Sequence, residues 1–172
     1  MSEQDLFPQK SKFMNYIRAC VLAFGGYYGG FCLGIMNPMA VPLGKNLYKL
    51  EGDDYKNFES NVNAYFTLGA LVAVGLSGPL SNLIGRVRWM IVMEIVGIGL
   101  GYLYTIENVT ALYVARCVSG VISSSGFTIG VIAIAEMFPG SISGFCGLFM
   151  YITLTGFILI TSCIKPYFNK DD

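Results

Sequence analysis

Residues 17–43 read IRACVLAFGGYYGGFCLGIMNPMAVPL, a run in which Arg18 is the sole charge and Gly26, Gly30 and Gly34 recur at four-residue spacing. A helix rising about 1.5 Å per residue crosses a hydrocarbon core of about 30 Å in about 20 residues, so this run is long enough to span a bilayer. Working outward, further apolar stretches occupy 62–84, 89–105, 112–135 and 145–164. Backbone polar groups inside lipid must be bonded within their own segment, which selects helices and excludes an open sheet. The expected fold is therefore all-α: an integral membrane bundle of about five transmembrane helices over 17–164, between a polar segment at 1–16 and a polar tail at 165–172. The stretch at 89–105 is the shortest, with Trp89 expected as its interfacial anchor.

Composition points the same way. Hydrophobic residues make up 54% and charged residues 13%, with a mean hydropathy of +0.58, against about 25% charged in an ordinary soluble domain. Eleven basic and eleven acidic residues cancel, leaving no electrostatic footprint for nucleic acid. Cys20, Cys32, Cys117, Cys146 and Cys163 all fall in apolar stretches as expected small buried hydrophobes. With no histidine in the chain, metal-ligand and nucleophile–base constellations lack their commonest member. No phosphate-binding glycine loop is present either, so neither an enzyme nor a cofactor is expected. The first 16 residues carry Glu3 and Asp5 and match neither a charged signal region nor an Arg-rich transit peptide, which leaves targeting to an internal segment.

Helices in lipid approach closely where small residues leave room. The stripe of Gly26, Gly30 and Gly34 is expected to meet another helix, either as tight packing or as a hinge or passage. Ala70, Val74 and Gly78 suggest a similar ridge on the second span, and Gly126 with Gly130 one on the fourth; Gly97, Gly99 and Gly101 share no face and should loosen the third. Basic residues divide five against five between the two sides, so the positive-inside rule leaves orientation open. The sequon at Asn108 lies in a loop too short for a glycosyltransferase.

Four motifs in order resemble the sugar porters of the major facilitator superfamily. Gly30, Phe31, Gly34 and Asn37 fit the family's first-helix pattern of glycine, aromatic, glycine and asparagine. Gly78, Asn82, Gly85 and Arg86 fit the signature G-x-x-x-[DN]-R-x-G-R-[RK] between helices two and three. Arg116 and Gly120 fit the fourth-helix R-x-x-x-G, and Glu136, Pro139 and Gly144 fit E-x-x-P-x-x-x-R-G. The resemblance implies the amino-terminal half of such a porter, incomplete after about five helices. It further implies that Arg86 reaches Glu136 as part of a charged clamp; the alternative is that these charges merely mark the membrane surface. Gly85 permits a tight helical hairpin of two to four residues, and Asn82 is placed to cap nearby backbone groups.

Departures from the pattern shape the functional expectation. The signature's first arginine is Leu83 and its last basic position is Val87; the loop motif's arginine is Ser143. The aspartate that partners the helix-four arginine in proton-coupled members is Cys32, and the fifth-helix glutamine that holds sugar is Tyr151. Arg116, expected near the start of its span, is free to snorkel, and Glu94 is expected to meet Arg86, Arg88 or another subunit. The expected function is a transporter-derived, non-transporting accessory subunit of a larger membrane complex, with other membrane subunits and ordered lipids as partners and residual sugar binding left in doubt. The alternatives are a half-size transporter working as an oligomer and a pseudotransporter that regulates a full-length relative. The mitochondrial inner membrane is one host for such a subunit, the plasma or another organelle membrane the other.

Overall fold

The computed structural model describes residues 26–137 and 140–164, together with the helical positions Met14, Ile17 and Cys20. The described residues form helices and no strand. Helix α1 (Gly26–Val41) passes into a π-helical turn at Pro42–Leu47, where proline's missing N–H favours the wider turn. Helix α2 is Gly52–Ile84, α3 Arg86–Leu103, α4 Val109–Met137 and α5 Gly140–Cys163.

Among the described residues three helices are long and apolar enough to cross a membrane: Gly52–Ile84, Val109–Glu136 and, within α5, Ser143–Cys163. The expected all-helical character holds, but of the five expected spans only those on α2, α4 and α5 have this length and apolarity: the described part of α1 has 16 residues, and α3 carries Arg86, Arg88 and Glu94 within 18. The boundaries differ as well. Helix α2 begins ten residues before the apolar stretch at 62, because the polar turns from Gly52 favour helix without being apolar. Helix α3 begins at Arg86, directly after a single-residue turn, so the two- to four-residue hairpin contracts to Gly85 alone. At φ 96° Gly85 holds a conformation open to residues without a side chain. Its N–H donates to the Ser81 carbonyl at 2.9 Å, and no side chain caps α3. Asn82 lies exposed and does not cap the turn. At α4, by contrast, the Asn108 side chain accepts from the Thr110 N–H at 2.8 Å, so the sequon asparagine is a helix cap.

Two tight crossings build the bundle. On α2 and α4 a methyl group placed on Gly69 would strike the Cys117 carbonyl, and one placed on Gly120 would strike the Phe66 carbonyl. On α1 and α5 a methyl on Gly30 would strike the Leu154 carbonyl and one on Gly34 the Thr161 hydroxyl. Position tracks position along each pair. Gly30 and Gly34 climb with Leu154 and Thr161, while Phe58 meets Tyr113, Val62 meets Arg116 and Arg86, just past α2, meets Glu136, so both pairs run parallel. Phe58, Val62, Leu112 and Met36 share one core cluster. The return of α1 into α2 through the π turn makes those two helices antiparallel. Exchanging α1 with α4 and α2 with α5 therefore maps one crossing onto the other with the direction inverted.

The expected packing faces need three corrections. Helix α2 packs along Phe66, Gly69, Ala73, Ser77 and Ser81, one position off the expected ridge; Val74 is exposed and Gly78 has nothing near its missing side chain. Gly126 likewise meets nothing, although Gly130 is buried. Trp89 turns inward, 8% exposed, and is no interfacial anchor. Among the cysteines, Cys32 and Cys146 are buried, whereas Cys20 and Cys163 are exposed. Outward faces carry Leu68, Leu71, Val72, Leu76 on α2 and Ile95, Ile98 on α3, a surface suited to hydrocarbon.

Candidate functional site

Arg116 lies seven residues inside α4, about 10 Å along its axis. At 1% exposed it is among the most enclosed side chains of the protein, which overturns the snorkelling expectation. Its Nη1 donates to the Cys32 carbonyl oxygen on α1 at 2.9 Å, and its Nε lies 3.5 Å from the Val62 carbonyl on α2. The guanidinium carbon sits 4.7 Å from the centre of the Phe66 ring. Among the described residues no carboxylate pairs with it. The helix-crossing geometry explains the enclosure: Gly120, one turn further on, draws α2 so close that Val62 and Phe66 close over the arginine. A buried cation then depends on carbonyl dipoles and a ring face, the latter contributing about 2 kcal/mol when desolvated.

Above Phe66 opens a cleft of about 290 Å³ lined by Leu33, Phe66, Thr67, Ala70, Ser123, Ser124, Phe127 and Leu154. All four helices of the two crossings contribute to it. Phe66 both lines this cleft and carries Arg116 against its ring, and Arg116 itself is not among the lining residues. At its rim Tyr151 is exposed and meets Phe127 edge-on, ring centres 5.2 Å apart. Gly30 and Gly34 of the α1 stripe meet α5, as expected of a close-packing face; among the described side chains of α1, Phe31 and Leu33 are exposed.

At one end of the bundle Arg86 forms an ion pair with Glu136, their side chains 26% and 52% exposed. Arg86 Nη1 and Trp89 Nε1 are buried there without a hydrogen-bond partner among the described residues. Leu83 and Val87, where the resembled signature carries basic residues, are exposed aliphatics at 82% and 65%. The opposite end gathers Tyr48, Phe58 and Tyr113, with Tyr48 and Phe58 ring centres 5.7 Å apart and Tyr48 within electrostatic reach of Glu107.

The structure thus brings together Cys32 with Arg116, Arg86 with Glu136, and Gly30, Gly34 and Gly120 with facing helices. Gly78 and Gly144 have no close neighbour, and Ser143 is half-buried at the start of α5. Pro139 and the Asn37 side chain lie outside the described residues. Glu94, expected near Arg86 or Arg88, is exposed on α3 and pairs with neither. Sequence reasoning missed Gly69 and the cleft hydroxyls Thr67, Ser123 and Ser124. A signal for Gly69 was present, since Gly69, Ala73, Ser77 and Ser81 form a small-residue stripe at four-residue spacing. Comparisons with protein-family models, curated proteins and solved structures return no match.

Proposed function

We propose that this chain is a transporter-derived membrane subunit with five spans that holds a place in a larger assembly and moves no solute itself. The inverted exchange of α1 with α4 and α2 with α5 supports descent from an alternating-access carrier, because such carriers are built on inverted repeats. The four porter-like motifs agree with that descent. One observation carries the loss of transport: the arginine that a proton-coupled porter pairs with an aspartate is here sealed beneath Phe66 and fastened to the α1 backbone at 2.9 Å. A group so engaged ties helices together and is closed off from a ligand in the cleft. The exposed leucine and valine at positions 83 and 87 fit contact with lipid or protein better than a charged gate.

The cleft hydroxyls favour one second reading, a half-size carrier that works as an oligomer, because Thr67, Ser123 and Ser124 offer donors and acceptors to a hydroxylated solute. Reconstitution separates the two. The chain alone in liposomes is expected to give no saturable hexose uptake, and a tagged copy extracted in mild detergent is expected to migrate with other membrane subunits. Saturable uptake lost on Thr67→Val with Ser124→Ala would establish the carrier and end the accessory reading.

A further inference from the structure

Glu94 stands eight residues into α3 from Arg86, about 12 Å along the helix axis and hence near the middle of a core of about 30 Å. It is exposed, and among the described residues it has neither an ion pair nor a hydrogen bond; Tyr28 of α1 feels its charge without bonding to it. A lone carboxylate against hydrocarbon is costly, so intramembrane acids face protein or water. The surrounding face is built for a helix. Val87, Ile91, Ile98 and Gly101 lie with Glu94 at alternating three- and four-residue steps, Ile98 is 81% exposed, and nothing approaches the open side of Gly101.

We infer that this face of α3 receives a transmembrane helix of another protein that carries a lysine or arginine at mid-bilayer depth, paired with Glu94. The inference rests on the five-span reading above and names the chemistry of one partner. Charge complementarity selects that occupant over a second copy of this chain. Arg116, the basic residue a copy holds at such depth among the described residues, is sealed inside its own bundle at 1% exposed. Two copies would set carboxyl against carboxyl. A lysine or arginine helix removes both desolvated charges at once, while Gly101 lets the backbones draw close.

The test uses the full chain in liposomes with benzophenylalanine at Ile98 and two synthetic polyleucine transmembrane peptides, one with a single central lysine and one without. The lysine peptide is expected to cross-link about tenfold more than its leucine twin. Glu94→Gln should bring the two peptides to near equality, and Glu94→Asp should keep part of the preference. Because Glu94 is exposed and makes no hydrogen bond or ion pair among the described residues, helix content by circular dichroism should stay unchanged in both variants. Equal cross-linking of the two peptides to the parent chain, a preference that survives Glu94→Gln, or chain-to-chain cross-links that outcompete both would each overturn the inference. Hexose uptake by the chain would remove the accessory reading and leave the peptide result standing, so the two failures are distinguishable.

Discussion

Arg116 Nη1 on α4 donates to the Cys32 carbonyl oxygen on α1 at 2.9 Å, so the buried cation is held by main chain, with no carboxylate paired to it among the described residues. A carbonyl offers its dipole whatever the side chain beside it. The arginine therefore has an acceptor although Cys32 carries no charge, and it acts as a three-helix staple among α1, α2 and α4. The nearby Ser119 hydroxyl returns to the Arg116 carbonyl at 2.8 Å and is thereby satisfied.

Arg116→Ala is expected to cost about 2–4 kcal/mol, from lost charge-assisted hydrogen bonds and the cation–π contact. Arg116→Lys should recover at most half of that loss, because an ammonium lacks the planar fork that faces two helices. Thermal unfolding in detergent micelles measures both. An alanine variant as stable as the parent would mean the carbonyl contacts do no more than offset desolvation.

Glycine substitutions should split into two groups. Gly120→Ala and Gly30→Ala place a methyl group against main-chain oxygen, which cannot move as a side-chain end can, so each is expected to cost about 3 kcal/mol. Gly78→Ala and Gly126→Ala meet nothing and gain helix propensity, so they should be neutral or stabilising by about 0.5–1 kcal/mol. The same melts read all four variants, and a costly Gly78→Ala would show that this helix face is covered.

The Arg86–Glu136 pair should contribute about 0–1 kcal/mol, since its partners are 26% and 52% exposed and solvent screens them. A double-mutant cycle with Arg86→Gln and Glu136→Gln isolates the coupling. A value above about 3 kcal/mol would indicate a desolvated clamp, closed by something beyond this chain.

The fold was legible in the sequence wherever hydropathy is the governing force. Long apolar runs located α2, α4 and α5, and the positive-φ turn at Gly85 followed from a glycine between two helical runs. The faces were harder to read. Inside lipid both sides of a helix are apolar, so periodicity loses the contrast that marks a core in water, and the α2 stripe was assigned one residue off. Arg116 was misplaced for a related reason. Near a helix end snorkelling and burial differ only by how closely the neighbouring helix approaches, and that approach is set by Gly69 and Gly120 together, residues far apart in the chain. The Arg86–Glu136 pair was legible only through a motif.

Sidedness gives the last test. The turn at Gly85 and the Arg86–Glu136 pair mark one end of the bundle, and Tyr48 with Glu107 marks the other. Helix α2 spans 33 residues between them, roughly 50 Å, so the two ends cannot share a membrane face if α2 crosses the bilayer. In a background with the five free cysteines replaced by alanine, Lys49→Cys and Glu107→Cys are expected to react with an impermeant maleimide from the same side of sealed vesicles, and Arg88→Cys from the opposite side. These positions are exposed, so their labelling reports location and not burial. Reaction of all three from one side would mean that the helices lie along the membrane surface, and the five-span reading would fall with it.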